Sequence, residues 1–525
     1  MFGAEDHPFA NSDFDMTSNS SDGLPRPESA PERVGRRRFL LGAVGGLTLV
    51  APLAALARQV PNPKGSKQNW DQLERTLKGK LLRPDAEGYA EAIKIWNLRY
   101  ASTRPAGVAL VADAKDIATA IAWARDNEVE LVTRSGGHSY AGYSTTPGLV
   151  INLHGMTNVA MDKATGNLTT FGAAKNMDVA AAGRTHGRAI PGGQCPTVGV
   201  AGFVLGGGLG FHMRQHGLGI DSLLSTQIVT ADGQLLQVSD KEHPDLFWAL
   251  RGGGGGNFGV NTSFTFRTFA VPEHATTFSL TWEGEACVKA FLAFQELLLH
   301  APDSLGAIAD FSAEVGPTGK MPPVLEVVGQ IVDTKEAAEK LFAPVIAAAP
   351  PKTVEFEVRS FWDAKVWLSE DTNVPKAFAE RSRFHAKPLP EAAVAAIIAA
   401  LAKAPIQGGE QRVASSFFAW GGAVAKVPST ATAFVHRKDV WLQSFDCSWG
   451  PNDPKPVSDR LMAWQDEFYN AMQPYASDRS FQNFPDPQLV DPLQAYYGEN
   501  LKRLVEVKRS YDRSNFFRFA QSIKG

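Results

Sequence analysis

Two reactive side chains set in glycine constrain this chain more than any other feature. His138 sits in Arg134-Ser135-Gly136-Gly137-His138-Ser139-Tyr140, and Cys195 sits in Gly192-Gly193-Gln194-Cys195-Pro196-Thr197-Val198-Gly199. Glycine accepts positive φ and lets backbone come close to a large flat ligand. Each loop also carries a nucleophile able to bond to such a ligand.

The chain has 525 residues, 44% apolar and 20% charged, which suits a globular protein of two or three domains with a full core. Net charge is -3, from 52 basic and 55 acidic side chains, so nothing points to a nucleic-acid partner. The 48 glycines and 33 prolines follow no period, and no internal repeat is present. Three cysteines, Cys195, Cys287 and Cys447, are too few for a disulfide scaffold, and their odd number leaves one thiol for other chemistry. Cys287 and Cys447 could pair after export.

Residues 1–33 are polar, Pro- and Ser-rich, the composition of a disordered leader. Arg36-Arg37-Arg38-Phe39-Leu40 then opens a mild apolar run that ends Ala55-Leu56-Ala57, a small-x-small cleavage site. This pattern is similar to a twin-arginine export signal. It predicts removal of residues 1–57 and a periplasmic or secreted protein, folded around its cofactor before export. A retained anchor is the alternative, with membrane contact only through this segment.

Beyond Gln68 the pattern alternates strand and helix. Strands are expected at Ala106–Val111, Val129–Arg134, Leu149–Leu153 and Leu168–Phe171, and helices at Lys115–Asn127 and Met177–Gly187. Val129–Arg134 runs directly into the His138 loop. Ala231-Asp232-Gly233 marks a hairpin between Leu223–Thr230 and Leu235–Val238. Near Ala270 the character changes. Helices at Ala286–Leu299, Thr334–Ala349, Pro390–Lys403 and Ser458–Met472 alternate with strands at Phe278–Trp282, Leu325–Val332, Val413–Ala419 and Val440–Trp449. That reads as an antiparallel sheet covered on one side by helices. The helix Gly498–Tyr511 must return to the first domain to bury Leu501, Leu504 and Val505. The expected fold class is therefore α+β with two domains, 68–270 with 490–525 and 271–489.

Glycine-rich loops alone say little. Neither Gly206–Gly210 nor Gly252–Gly256 leads into Gly-Lys-Ser or Gly-Lys-Thr, and no Gly-x-Gly-x-x-Gly opens a helix in a Rossmann setting. An extended dinucleotide held by loops fits better. His212 and His216 have i,i+4 spacing but no nearby acidic ligand, so no metal is expected.

The joint pattern resembles the berberine-bridge-enzyme-like, FAD-linked oxidases of the vanillyl-alcohol-oxidase superfamily, with its two-domain PCMH-type FAD-binding fold. The carrying motifs are Arg-x-Gly-Gly-His at His138 and Gly-x-Cys-Pro-Thr-Val-Gly at Cys195. To these add the run Val200–Gly210, Asp245-Leu246-Phe247-Trp248-Ala249-Leu250-Arg251-Gly252, Asn257-Phe258-Gly259-Val260, and the tail Tyr496-Tyr497-Gly498-x-Asn500-Leu501. The resemblance covers roughly Gln68 to Ile523. It implies FAD bonded twice, by His138 at the flavin 8α carbon and by Cys195 at C6. It also implies cofactor contacts from Arg134, Gly136, Gly137 and Ser139; from Thr197, Val198, Gly199 and Gly202; from Gly207, Gly208 and Gly210; from Asn257, Gly259 and Val260; and from Tyr497 and Asn500. Two ring substituents would raise the flavin potential and leave the site open to bulky donors.

In that family the residue three after the cysteine gates oxygen, and valine there accompanies oxidase behaviour. Val198 thus implies dioxygen as acceptor and hydrogen peroxide as product. The donor would be an alcohol or amine, in an oligosaccharide or a secondary metabolite. A base must take the donor proton. By strand alternation Leu442, Ser444 and Asp446 share one face, opposite Trp441, Gln443, Phe445 and Cys447. Asp446 falls at the family's acidic or amide position and is the leading base. Many members carry an Asn-Tyr pair before the tail; this chain has Asn483-Phe484, and phenylalanine takes no proton. Either Asp446 then acts alone, or Tyr143, Tyr497 or Tyr140 substitutes, or the donor needs little base assistance. The alternatives are a same-fold dehydrogenase with another acceptor, a flavin-binding protein without turnover, and a metal-dependent hydrolase. Trp362, Trp367 and Trp420 are candidates to line a flat cleft.

Overall fold

Local rules explain the first sheet. Asp113 caps the helix Ala114–Asp126 by accepting the Lys115 and Asp116 amides at 3.0 and 3.1 Å. Ile117, Ala120, Ile121 and Ala124 then form its buried stripe. The helix connects the strands Gly107–Leu110 and Leu131–Arg134, which flank Leu149–Asn152 on either side, all parallel. Lys80–Leu82 adds an antiparallel edge. The computed structural model describes residues 67–316, 319–369 and 374–525, so the expected leader and export signal lie outside the described residues.

A five-stranded antiparallel sheet follows, ordered Val159–Met161, Leu168–Phe171, Val260–Phe266, Leu223–Val229 and Leu235–Ser239. The expected hairpin turn is present, with Gly233 at φ 83°. These two sheets form one lobe.

The second lobe is built on a seven-stranded antiparallel sheet. Its order is Thr353–Ser360, His274–Glu283, Val324–Ile331, Gly306–Ala313, Arg412–Ala419, Trp441–Trp449 and Ala377–His385. The fold is α+β. Period-two alternation sorts the side chains of this sheet. Trp441, Phe445, Phe417 and Val327 enter a core shared with the helices Ala286–His300, Lys335–Ala348, Glu391–Ala402 and Lys455–Ala471. Leu442, Phe418, Ile308 and Val328 face the other way and share a core with Val204, Leu205 and Leu209 of the first lobe. The two lobes thus meet through a continuous apolar layer. At Gly306 the approach is so close that an added Cβ would stand 1.8 Å from the Phe211 carbonyl oxygen. Cys287 and Cys447 are separate buried thiols in the helix-covered core.

The tail returns to the first lobe. Leu504 and Val507 of the helix Leu501–Tyr511 are buried with Leu246, Trp248 and Leu250. Lys508 is fully buried, and its Nζ donates to the Asn257 carbonyl, the Phe517 carbonyl and Asp512 Oδ2 at 2.5, 2.6 and 2.8 Å. The Ile523 amide donates to Asn257 Oδ1 at 2.9 Å.

Candidate active site

The strand Leu131–Arg134 delivers the His138 loop. Buried Arg134 fixes that loop, donating from Nε to the Ser144 carbonyl at 2.8 Å and from Nη1 to the Ala92 carbonyl at 2.6 Å. The His138 ring stacks on Trp96, centroids 4.8 Å apart and planes 18° apart. Burial first, and the Lys175 charge second, push its pKa down to about 4. The imidazole is therefore neutral near pH 7, with one nitrogen lone pair available.

The Cys195 loop is held by the first turn of the helix Asn176–Arg184, whose amides have no partner within the helix. Asn176 and Met177 amides donate to the Val198 and Pro196 carbonyls, both at 3.0 Å. Asn176 Nδ2 donates to the Cys195 carbonyl at 3.0 Å. The half-buried Cys195 is thereby fixed in place.

The two loops are one wall. Thr197 Oγ1 lies 3.0 Å from His138 Nε2. A Cβ on Gly136 would stand 2.4 Å from the Gly199 nitrogen, so only glycine admits this contact. Gly202 borders open space, and nothing lies within 4 Å of a Cβ placed there.

Other expected cofactor residues have different surroundings. A Cβ on Gly210 would meet the Gly192 carbonyl oxygen at 2.2 Å, and one on Gly259 the Val229 carbonyl oxygen at 2.4 Å. Gly207 and Gly208 abut Phe434 and Gly219, and Val260 pairs with Val229 in the sheet. At these glycines the side on which a Cβ would stand is filled by protein. Asn257 Nδ2 donates to the Gly253 carbonyl at 2.9 Å, bracing the glycine loop as well as the tail. Asn500 Nδ2 holds the Ser429 carbonyl at 2.7 Å. Gly137 sits at φ 73° and its carbonyl accepts the Trp96 amide at 3.1 Å. Ser139 Oγ accepts the Tyr143 amide at 3.0 Å.

The seven-stranded sheet supplies the facing side. Asp446 pairs directly across the strands with Glu380, and Ser444 Oγ donates to Asp446 Oδ2 at 2.8 Å. Asn97 Nδ2 ties this sheet to the His138 loop, donating to the Tyr140 carbonyl at 2.8 Å and the Phe378 carbonyl at 3.1 Å. Tyr140 stacks on Phe484, centroids 5.3 Å apart, and meets Phe378 edge-on at 5.0 Å. The position where a tyrosine base was expected thus belongs to an aromatic cluster.

Tyr497 braces the glycine loop. Its buried hydroxyl donates to the Gly253 carbonyl at 2.8 Å, and burial raises its pKa. Tyr143 packs against Phe519 at 4.8 Å, its pKa also raised by burial. Trp420 is a core residue whose Nε1 donates to the His436 carbonyl at 2.8 Å. His212 stacks on Phe361 and bonds Gln330 at 2.8 Å, while His216 stacks on Phe269.

Trp96, Asn97, Lys175, Glu380 and Lys365 escaped the sequence reading. Only Glu380 left a trace there, as the polar partner of Asp446 had the strand Ala377–His385 been recognised.

The FAD-binding domain family matches residues 105–239, and the berberine and berberine-like family matches residues 480–524. The FAD-linked oxidoreductase YvdP of Bacillus subtilis is 31% identical over 85% of this chain and 98% of its own. This chain belongs to the berberine-bridge-enzyme-like family. It is an FAD-linked oxidoreductase. BBE-like 1 of Physcomitrella patens superposes with a TM-score of 0.77 at 28% identity, covering 86% of this chain and 98% of its own. Glucooligosaccharide oxidase of Acremonium strictum, which carries a 6-S-cysteinyl, 8α-N1-histidyl FAD, superposes with a TM-score of 0.78 at 26% identity, covering 87% and 99%.

The wall of this family member fits FAD. Two nucleophiles share it, Gly202 opens beside it, and Ser135 Oγ, Thr145 Oγ1 and Arg134 Nη2 are buried without hydrogen-bond partners among the described residues. Buried polar atoms of this kind call for a partner.

Proposed function

We propose that this chain is an oxidase that takes a hydride from an alcohol or amine and passes the electrons to dioxygen, forming hydrogen peroxide. The observation that carries the reading is the 3.0 Å contact between His138 Nε2 and Thr197 Oγ1, which brings both nucleophilic loops to one wall. FAD, bonded at His138 and Cys195, supplies the hydride acceptor. The chain's own residues then do three things. The His138 and Cys195 loops fix the ring's edges. Asp446, oriented by the Ser444 hydroxyl, takes the donor proton. The aromatic cluster of Tyr140, Phe378 and Phe484 keeps water from the reacting carbon. Val198 leaves oxygen a path to the ring.

Purified protein offered a panel of oligosaccharides and amine- or hydroxyl-bearing metabolites is expected to bleach its flavin absorbance with one class and release peroxide in air. Bleaching that reverses only with an added dye acceptor would show a dehydrogenase instead. No bleaching with any donor would favour a protein without turnover, for which Phe484 is the reason to look.

Export by the twin-arginine route belongs to the same proposal and rests on Arg36, Arg37 and the run to Ala57. Replacing both arginines by lysine is expected to hold unprocessed chain in the cytoplasm. Unchanged amounts of mature protein outside the inner membrane would count against it.

A further inference from the structure

The second lobe places one cation beside the Cys195 loop. Lys365 lies on the helix Phe361–Trp367, capped by the Ser360 hydroxyl, which accepts the Asp363 amide at 3.1 Å. Its Nζ reaches across to the first lobe and donates to the Gly193 carbonyl at 3.2 Å, two residues before Cys195. A negative charge on Cys195 would raise the lysine's pKa, against the lowering by burial. The other titratable groups near this point are His212, Arg214 and His216; Arg214 lines a cavity with Gln194, and its guanidinium donates to the Trp420 and Ala301 carbonyls at 2.5 and 3.4 Å. Lys175, at the foot of the helix Asn176–Arg184, acts on His138 instead. Burial holds His212 neutral, its pKa pushed down to about 3, so it adds no charge near pH 7. Lys365 is the cation bonded to the backbone of the Cys195 loop.

We propose that the Lys365 ammonium holds Cys195 as a thiolate and thereby promotes formation of the sulfur–flavin bond. This rests on the two-tether reading above. A thiolate, not a thiol, is the nucleophile, and a neighbouring lysine favours it. In the reaction the sulfur bonds to ring carbon C6. The thiol proton and the C6 hydrogen are lost, and the two electrons released reduce dioxygen to hydrogen peroxide. Lys365 ends as it began, an ammonium. Burial lowers its own pKa to about 8, so it is charged at neutral pH and loses that charge above. The promotion therefore operates below about pH 8, where few thiols ionise unaided. Lys365 is a positioning residue for attachment and takes no part in substrate oxidation.

The test uses His138→Ala holoprotein, in which sulfur is the remaining tether. Acid-denatured protein is weighed intact, and the fraction carrying FAD is compared with Lys365→Met and Lys365→Arg added. The methionine variant, folded and yellow before acid, is expected to show a tethered fraction lower by about tenfold, the factor one unit of thiol acidity carries. Arginine is expected to restore it, and so is incubation of the methionine variant in air at a pH where thiols ionise unaided. If His138→Ala alone is fully tethered and Lys365→Met matches it, the lysine inference is overturned and the two-tether reading stands. A deficit that neither arginine nor alkali repairs assigns Lys365 to packing and overturns it too. If His138→Ala releases all its FAD in acid, both fall.

Discussion

Replacing His138 and Cys195 together by alanine is expected to yield protein that surrenders all its FAD on acid denaturation, while either single replacement keeps it. The reason is geometric. His138 and Cys195 are on separate loops, each with its own support: Arg134 for the first, the amides of Asn176 and Met177 for the second. Loss of one nucleophile leaves the other loop's bracing intact. The bond between Thr197 and His138 links the loops but supports neither backbone. Intact-mass measurement before and after acid reads the result directly. A wild-type chain whose mass shows no flavin adduct would sink the claim, and so would a single variant that releases everything. The single variants should also differ in potential from the wild type, because each ring substituent withdraws electron density.

Asp446→Asn is expected to lower kcat/KM for the donor by about 10²- to 10⁴-fold, the usual contribution of a positioned general base. Asparagine keeps the size of the side chain and an oxygen for the Ser444 hydroxyl, so folding and flavin content should not change. The discriminating measurement is the rate of flavin bleaching under anaerobic conditions, which isolates hydride transfer from reoxidation. A bleaching rate within a factor of about three of wild type would remove Asp446 as the base. The next candidate would then be Glu380, its cross-strand partner.

Much of this site is legible from local chemistry. A Gly-Gly pair before a histidine and a Cys-Pro-Thr run are short-range signals, and the structure joins them. Strand alternation places Leu442 on one face and Trp441 and Phe445 on the other, as the cores confirm, and by the same alternation Asp446 shares the face of Leu442. The strand Ala377–His385 is hidden for a physical reason. Its helix-side face carries Arg381 and Arg383, which pattern as solvent-exposed. In the folded chain both guanidinium groups lie against the Tyr469 ring, at 3.6 and 3.8 Å, and Arg381 bonds Asp486 at 2.7 Å. Such pairing shows only once distant segments have met. The same holds for glycine. Sequence alone does not tell Gly202, beside open space, from Gly259, pressed on the Val229 carbonyl. Asn257, Asn500 and Tyr497 belong to the family pattern, yet their side chains grip backbone carbonyls.

The clasp among Lys508, Asn257, Phe517 and Ile523 has a temporal consequence. The lobe that carries His138 and Cys195 is stitched from segments 251 and 266 residues apart, so its last seam closes only once residues 508–523 have reached Asn257. A flavin lodged in that lobe would therefore meet its completed surroundings only after this late segment has docked.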